Sequence, residues 1–146
     1  VYGLETVSLR YFNVYGERQN LRGPYSTVIG VFLDQFINSL PLTINGNGKQ
    51  KRDFTYVKDV VKANMLALKS EKVGKGEVIN IGSGKNLSIN SIADIISKEK
   101  IYLPPVEEPF ENLADVKKAK QLLKWEPKVR VEDWLHSYKS LINKIC

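Results

Sequence analysis

Strand and helix periodicities take turns along this chain, and that alternation constrains its fold more than any other property. Residues 6–11, TVSLRY, put Val7, Leu9 and Tyr11 on one face and Ser8 and Arg10 on the other, the period of a strand. Ile29, Phe32, Leu33, Phe36, Ile37 and Leu40 then recur at helical spacing behind Ser26, a capping residue type, and Pro41 stops the stripe. LTI at 42–44 and FTYV at 54–57 read as short strands around NGNGKQKRD, with a hairpin or tight loop between them because Asn-Gly pairs favour positive φ. Asp59 is placed to cap a helix whose buried side carries Val60, Val61, Met65, Ala67 and Leu68. EVINIGSG at 77–84 is a β-branched strand running into a glycine turn, and Ser88 caps a helix bearing Ile89, Ile92, Ala93 and Ile96. YLPPVEEPF at 102–110 holds three prolines and must be extended or irregular. Asp115 opens a short helix through Leu123, and Val131, Trp134, Leu135, Tyr138, Leu141, Ile142 and Ile145 form the stripe of the last one. Strands alternating with helices throughout make the class α/β.

The 146 residues, 42% hydrophobic and 26% charged, suit one compact domain or a large piece of one. A net charge of +6 is compatible with nucleic acid, an anionic membrane or a small polyanion. The basic residues are dispersed in short groups such as KQKR at 49–52 and KKAK at 117–120, and they read as solvated surface. Neither a nucleic-acid nor a membrane partner is therefore expected. Cys146 is the one cysteine, so no internal disulfide forms, and a reducing, cytoplasmic location is the expectation. One histidine and one cysteine do not assemble a zinc cluster of the usual nitrogen and sulfur ligands, and no metal is assigned. The sequence has no 18-residue apolar run and no signal-peptide pattern at its N-terminus, which reads as a soluble, unexported chain.

Four stretches, LRYFNVYGERQ, LTINGNGKQKRDFTYVKDVVKAN, VINIGSGKNLSI and ADVKKAKQLLKWEP, occur in the order and spacing of a known family. Together they resemble the extended short-chain dehydrogenase/reductases that modify nucleotide sugars, most closely the UDP-glucose 4-epimerase type, with 4,6-dehydratases next. The resemblance implies NAD as cofactor, a nucleotide-sugar substrate with UDP favoured, and a homodimer for the full-length enzyme. It also implies that LRYFNVYG is a late strand of an NAD-binding Rossmann domain. No Gly-x-x-Gly-x-x-Gly turn is present, and Tyr2, Tyr11, Tyr15, Tyr25, Tyr56, Tyr102 and Tyr138 each lack a lysine four residues on. Residues 1–146 are thus expected to be the C-terminal substrate-binding region of an NAD-dependent epimerase: the last Rossmann strands plus a small mixed α/β substrate domain. The NAD-binding part and the catalytic Tyr/Lys pair would precede it, so no residue here is assigned as catalytic and the piece alone is expected to be inactive. A terminal strand without its neighbour leaves a pairing edge, which predicts self-association or local disorder near residues 1–20.

The resemblance carries roles to individual positions. Arg52 matches an arginine that grips the diphosphate, chemistry suited to a forked guanidinium; the alternative is a surface arginine paired with Asp53 or Asp59. Thr43 to Asn45 match a strand that reads the base through main-chain groups, and Gly46 and Gly48 let that loop approach a ligand closely, though an ordinary hairpin turn explains NGNG equally. Asn13, at a strand end where open α/β sheets place ligands, matches an asparagine contacting the nucleotide sugar. Tyr11 and Phe12 match residues against the nicotinamide end of NAD; the alternative makes Tyr11 core and Asn13 a strand terminator. Val28 matches a base-pocket position. Where relatives carry an arginine shortly before Gly-Asp, this chain has Pro105 and then Glu108, so the acid that bonds the ribose persists while the second clamp is lost, unless Arg18 or Arg22 replaces it. His136 reads as a surface or packing residue, Trp125 and Trp134 as packing anchors, and Lys117, Lys118 and Lys120 as solvent-facing. A 4,6-dehydratase, reductase or decarboxylase of the same superfamily, or a non-catalytic nucleotide- or nucleic-acid-binding relative, are the alternatives.

Overall fold

The structure, a computed structural model, describes residues 3–23 and 25–145. Tyr2, the side chain of Ile145 and Cys146, all invoked above, lie outside the described residues or atoms. The elements run β1 (Thr6–Tyr11), β2 (Val14–Tyr15), α1 (Val28–Ile37), β3 (Leu42–Asn45), β4 (Lys51–Asp53) and β5 (Thr55–Tyr56). They continue as α2 (Val57–Lys69), β6 (Lys75–Ile81), β7 (Asn86–Ser88), α3 (Ile89–Ile96), β8 (Lys100–Leu103), α4 (Lys117–Leu123) and α5 (Val131–Ile145).

Pairing is mostly parallel and non-local, as an α/β chain requires. β1 runs parallel to β6 with Leu9 opposite Ile79 and Tyr11 opposite Ile81. β2 pairs with β5 and β3 with β8, both parallel, while β4 and β7 are antiparallel. The hairpin alternative for 42–57 is therefore ruled out, because β3 and β4 each find another partner, and residues 46–50 form a tight loop. Gly46 and Gly48 take φ of 63° and 68° in it. At Gly48 a Cβ would meet the Asn90 side chain at 2.2 Å, so both backbone freedom and close approach demand glycine.

Two buried clusters share the chain. One gathers α1, α3 and α5 around β3, with Phe32, Leu33, Ile44, Ile92, Trp134 and Leu135 at its centre. The other packs α2 and α4, which touch each other, with the Ile79 and Ile81 face of β6 through Ala63, Ala119, Leu123 and Trp125. Burying side chains of this size contributes on the order of 1.5–3 kcal/mol each before the entropy of ordering them. Among the described residues β1 pairs only with β6, which leaves its other edge open. No helix among them is long and apolar enough to cross a membrane.

Several local readings change. Thr27, not Ser26, caps α1, accepting from the Gly30 N–H, and the helix ends at Ile37 so that Ile37 and Leu40 are exposed. In α2 the buried face is Asp59, Val60, Ala63 and Ala67, whereas Val61, Met65 and Leu68 face outward. Asp59 lies inside the first turn of α2 and its Oδ2 accepts from the Lys128 and Val129 N–H groups at 2.8 and 3.0 Å. That bond docks the WEPK stretch onto α2, aided by Trp125 Nε1 donating to the Asp59 carbonyl at 2.9 Å. Ser88 caps α3 as read, accepting from Ser91 N–H at 3.0 Å. Leu141 is exposed in α5, and the three lysines of α4 are exposed as expected.

Candidate functional site

The end of β3, the 46–50 loop, β4 and the proline-rich stretch after β8 converge. Arg52, its side chain 12% exposed, forms an ion pair from Nη2 to Glu108 Oε2 and donates from Nη1 to the Lys51 carbonyl at 2.8 Å. Gln50, buried, donates from Nε2 to the Asn45 carbonyl at 3.0 Å and to Glu108 Oε1 at 3.1 Å. Both Glu108 oxygens are thereby engaged, one by a cation and one by an amide. Beside this pair lies a cavity of about 170 Å³ lined by Asn45, Gly46, Gln50, Pro105, Val106 and Glu108, among others. Sequence reasoning brought together Asn45, Arg52 and Glu108; it missed Gln50, whose only signal was its place in the KQKR run.

β3 contributes a backbone edge. Leu42 and Gly46 donate toward β8, so Thr43 and Asn45 point their main-chain groups the other way. Gln35 Oε1 accepts from the Thr43 N–H at 3.0 Å, and Gln50 occupies the Asn45 carbonyl. The Thr43 carbonyl and Asn45 N–H remain on that edge without a hydrogen bond among the described residues.

Asn13 adopts φ of 30°, a conformation asparagine tolerates better than most residues. Its Nδ2 donates to the Asp53 carbonyl at 2.6 Å and to Asn112 Oδ1 at 3.3 Å, and Asn112 Oδ1 also accepts from Asp53 N–H at 3.2 Å. This lock seats the end of β1 against β4, one residue from Arg52. The Asp53 carboxylate, fully buried, accepts from Ser83 N–H (2.6 Å), Ser83 Oγ (2.7 Å), Gly84 N–H (3.0 Å) and Ala114 N–H (3.1 Å). Asp53 and Asp59 thus spend their oxygens on backbone N–H groups, and the alternative that pairs either with Arg52 does not hold. Neither Asp53 nor Asn112 stood out in the sequence as part of a site.

Tyr11 is half exposed, not core, and its hydroxyl donates to Asn64 Oδ1 at 2.9 Å. Phe12 N–H bonds the Ile81 carbonyl at 3.0 Å, holding the strand end beside the glycine turn. Val28 opens α1, partly buried against the helical cluster and outside the lining of the 170 Å³ cavity. Of the two candidate substitutes for the lost arginine, Arg22 pairs with Asp34 at 2.8 Å. Arg18 lines a different cavity of about 510 Å³ with Glu17, Tyr25 and Lys58. Near that cavity the Tyr56 hydroxyl (2.7 Å) and Trp134 Nε1 (3.1 Å) donate to Glu17, and the Tyr56 bond chiefly holds the carboxyl below its usual range. Burial, then the bond to Glu17, pushes Tyr56 up to about 12. A third cavity of about 610 Å³ lies between Phe54, Lys85, Trp125, Lys128 and Arg130. His136 is exposed.

Residues 1–82 match the NAD dependent epimerase/dehydratase family. The chain belongs to that family. A putative UDP-glucose 4-epimerase of Methanocaldococcus jannaschii is 42% identical over 149 residues, covering 92% of this chain and 47% of the relative. The crystal structure of UDP-glucose 4-epimerase with UDP-glucose from Thermotoga maritima superposes with a TM-score of 0.87 at 36% identity, covering 99% of this chain and 48% of that one. UDP-glucuronic acid 4-epimerase from Bacillus cereus, in complex with UDP-glucuronic acid and NAD, superposes at 0.80 with 37% identity, covering 96% and 46%. This epimerase/dehydratase-family chain spans about half the length of the relatives it matches. Its mixed α/β fold with parallel pairing is that of the family's UDP-sugar epimerases.

Chemically, the cluster around Arg52 gathers hydrogen-bond donors and acceptors of several kinds. It brings together the Arg52 guanidinium and the Asn45 N–H as donors, and the Thr43 carbonyl, the Asn13 side-chain oxygen and Glu108 as acceptors. Charge-assisted bonds from a guanidinium are about twice as strong as neutral ones, which makes Arg52 the dominant member.

Proposed function

We propose that residues 1–146 are the nucleotide-diphosphate-sugar-binding region of an NAD-dependent sugar 4-epimerase, with a UDP-sugar as substrate. The observation that carries this reading is Arg52 paired with Glu108, which shares with Asn45 at the end of β3 the lining of the 170 Å³ cavity. In this reading Arg52 binds the diphosphate and the Thr43 carbonyl and Asn45 N–H read the base edge. Glu108 accepts from a ribose hydroxyl, and Asn13 contacts the nucleotide sugar. Val28, at the mouth of α1, borders the base.

Tyr11 and Phe12 fit the nicotinamide end of NAD because they sit at the C-terminal end of a parallel strand, where open α/β sheets gather ligands, and the Tyr11 ring is half exposed. NAD, when bound, supplies the acceptance and return of hydride at a sugar carbon. The residues of this region orient the substrate for that exchange, so that remote binding energy holds the sugar in place.

Titrating UDP into the chain by calorimetry tests the proposal. Saturable binding is expected, weakened at least tenfold by Arg52→Ala, a loss of about 1.4 kcal/mol. Equal affinity of the variant and the parent would contradict it.

A further inference from the structure

Resting on the reading just given, we propose that Glu108 is a built-in competitor for the diphosphate clamp. Its carboxylate occupies Arg52 in the unliganded chain and must yield when a pyrophosphoryl group binds, so Glu108 sets how tightly the anion is held.

The geometry supplies each part. Arg52 Nη2 is directed at Glu108 Oε2, with the Arg52 side chain 12% and the Glu108 side chain 33% exposed. No lysine or arginine lines the adjoining cavity, and Pro105 contributes no charge to it. The site therefore presents a guanidinium already neutralised by a carboxylate. A phosphate arriving at Nη2 meets that carboxylate as a like charge, which is repelled more strongly the drier the site becomes.

Glu108 is carried on a segment at the surface. Residues 101–110 are all exposed, and the stretch is tied at both ends, by Gly46 N–H to the Leu103 carbonyl at 2.9 Å and Lys51 N–H to the Phe110 carbonyl at 2.8 Å. Displacing Glu108 between those ties leaves β3 and β4 intact. Its second oxygen is held by Gln50, which also holds the Asn45 carbonyl on the base-reading edge. Release of Glu108 thus frees a Gln50 amide proton beside that edge, linking the phosphate position to the base position through one side chain.

The test uses Glu108→Gln, which keeps the shape and the capacity to accept from a hydroxyl but removes the charge. Pyrophosphate, UDP and uridine are titrated against the parent, Glu108→Gln and the Arg52→Ala/Glu108→Gln double variant, each first shown to unfold cooperatively in urea. The expected result is about tenfold tighter binding of UDP and pyrophosphate to Glu108→Gln, no gain in uridine affinity, and loss of the gain in the double variant. If UDP binds the parent but Glu108→Gln leaves it unchanged, or weakens UDP and uridine alike, Glu108 is only a ribose acceptor; this inference fails and the proposed function survives. If neither protein binds UDP or pyrophosphate, both fall.

Discussion

Asp53 holds together the backbone beside Arg52. Its carboxylate makes no contact with Arg52, yet it gathers the 83–84 turn and the backbone at Ala114 into one place through four hydrogen bonds. At Gly82 a Cβ would meet Ala114 Cβ at 2.2 Å and Asp53 Oδ2 at 3.0 Å, so the turn is glycine because chain and carboxylate approach too closely for anything else. Replacing Asp53 by alanine strands three N–H groups, while the Ser83 hydroxyl keeps the Lys85 carbonyl as acceptor at 2.7 Å. Each buried donor left unpaired costs about 1–3 kcal/mol, with part recovered by water. We expect Asp53→Ala to lower stability by about 3 kcal/mol, read as a fall in the urea midpoint at unchanged slope; an unmoved midpoint would show that the carboxylate is dispensable. Asn13 belongs to the same support: its amide nitrogen ties the end of β1 to the Asp53 carbonyl and leaves its side-chain oxygen out of that bond.

Helix ends and helix faces differ in how far they can be read from residue order. Ser88 precedes an apolar run in which Ile89, Ile92, Ala93 and Ile96 are all buried, and both the cap and the face follow from spacing alone. Ser26 and Thr27 are adjacent capping residues, and which one caps depends on where the preceding loop delivers the chain. Thr27 accepts from Gly30 N–H, while the Ser26 hydroxyl is buried without a partner among the described residues. Urea unfolding should therefore show Ser88→Ala costing about 1 kcal/mol and Ser26→Ala within about 0.5 kcal/mol of the parent. Equal losses at the two sites would refute the cap assignment. The α2 stripe misled for a different reason: the helix is apolar on two sides, and small Ala63 and Ala67 pack on β6 while Val61, Met65 and Leu68 face out. Periodicity marks an amphipathic helix but does not choose between two apolar faces. The partners of β3 and β4 were equally hidden, since β8 and β7 are far along the chain and pairing across such distances leaves no local trace.

At the scale of the molecule, Arg52 and Glu108 are 56 positions apart and meet only because β3 pairs with β8 and β4 with β7. Two clusters support that meeting, one under α1, α3 and α5, the other around β6, with the Asn13, Asp53 and Asn112 lock between β1 and β4. Among the described residues one edge of β1 is unpaired and α2 presents Val61, Met65 and Leu68 outward. The central claim is that a nucleoside diphosphate is held at β3, β4 and the 105–110 segment, and not in the larger cleft between Phe54, Trp125 and Arg130. Backbone amide resonances followed by NMR while UDP is added test it most directly. The account predicts saturating shifts at Asn45, Gln50, Arg52 and Glu108; shifts confined to Lys85 and residues 126–132, or none at all, would contradict it.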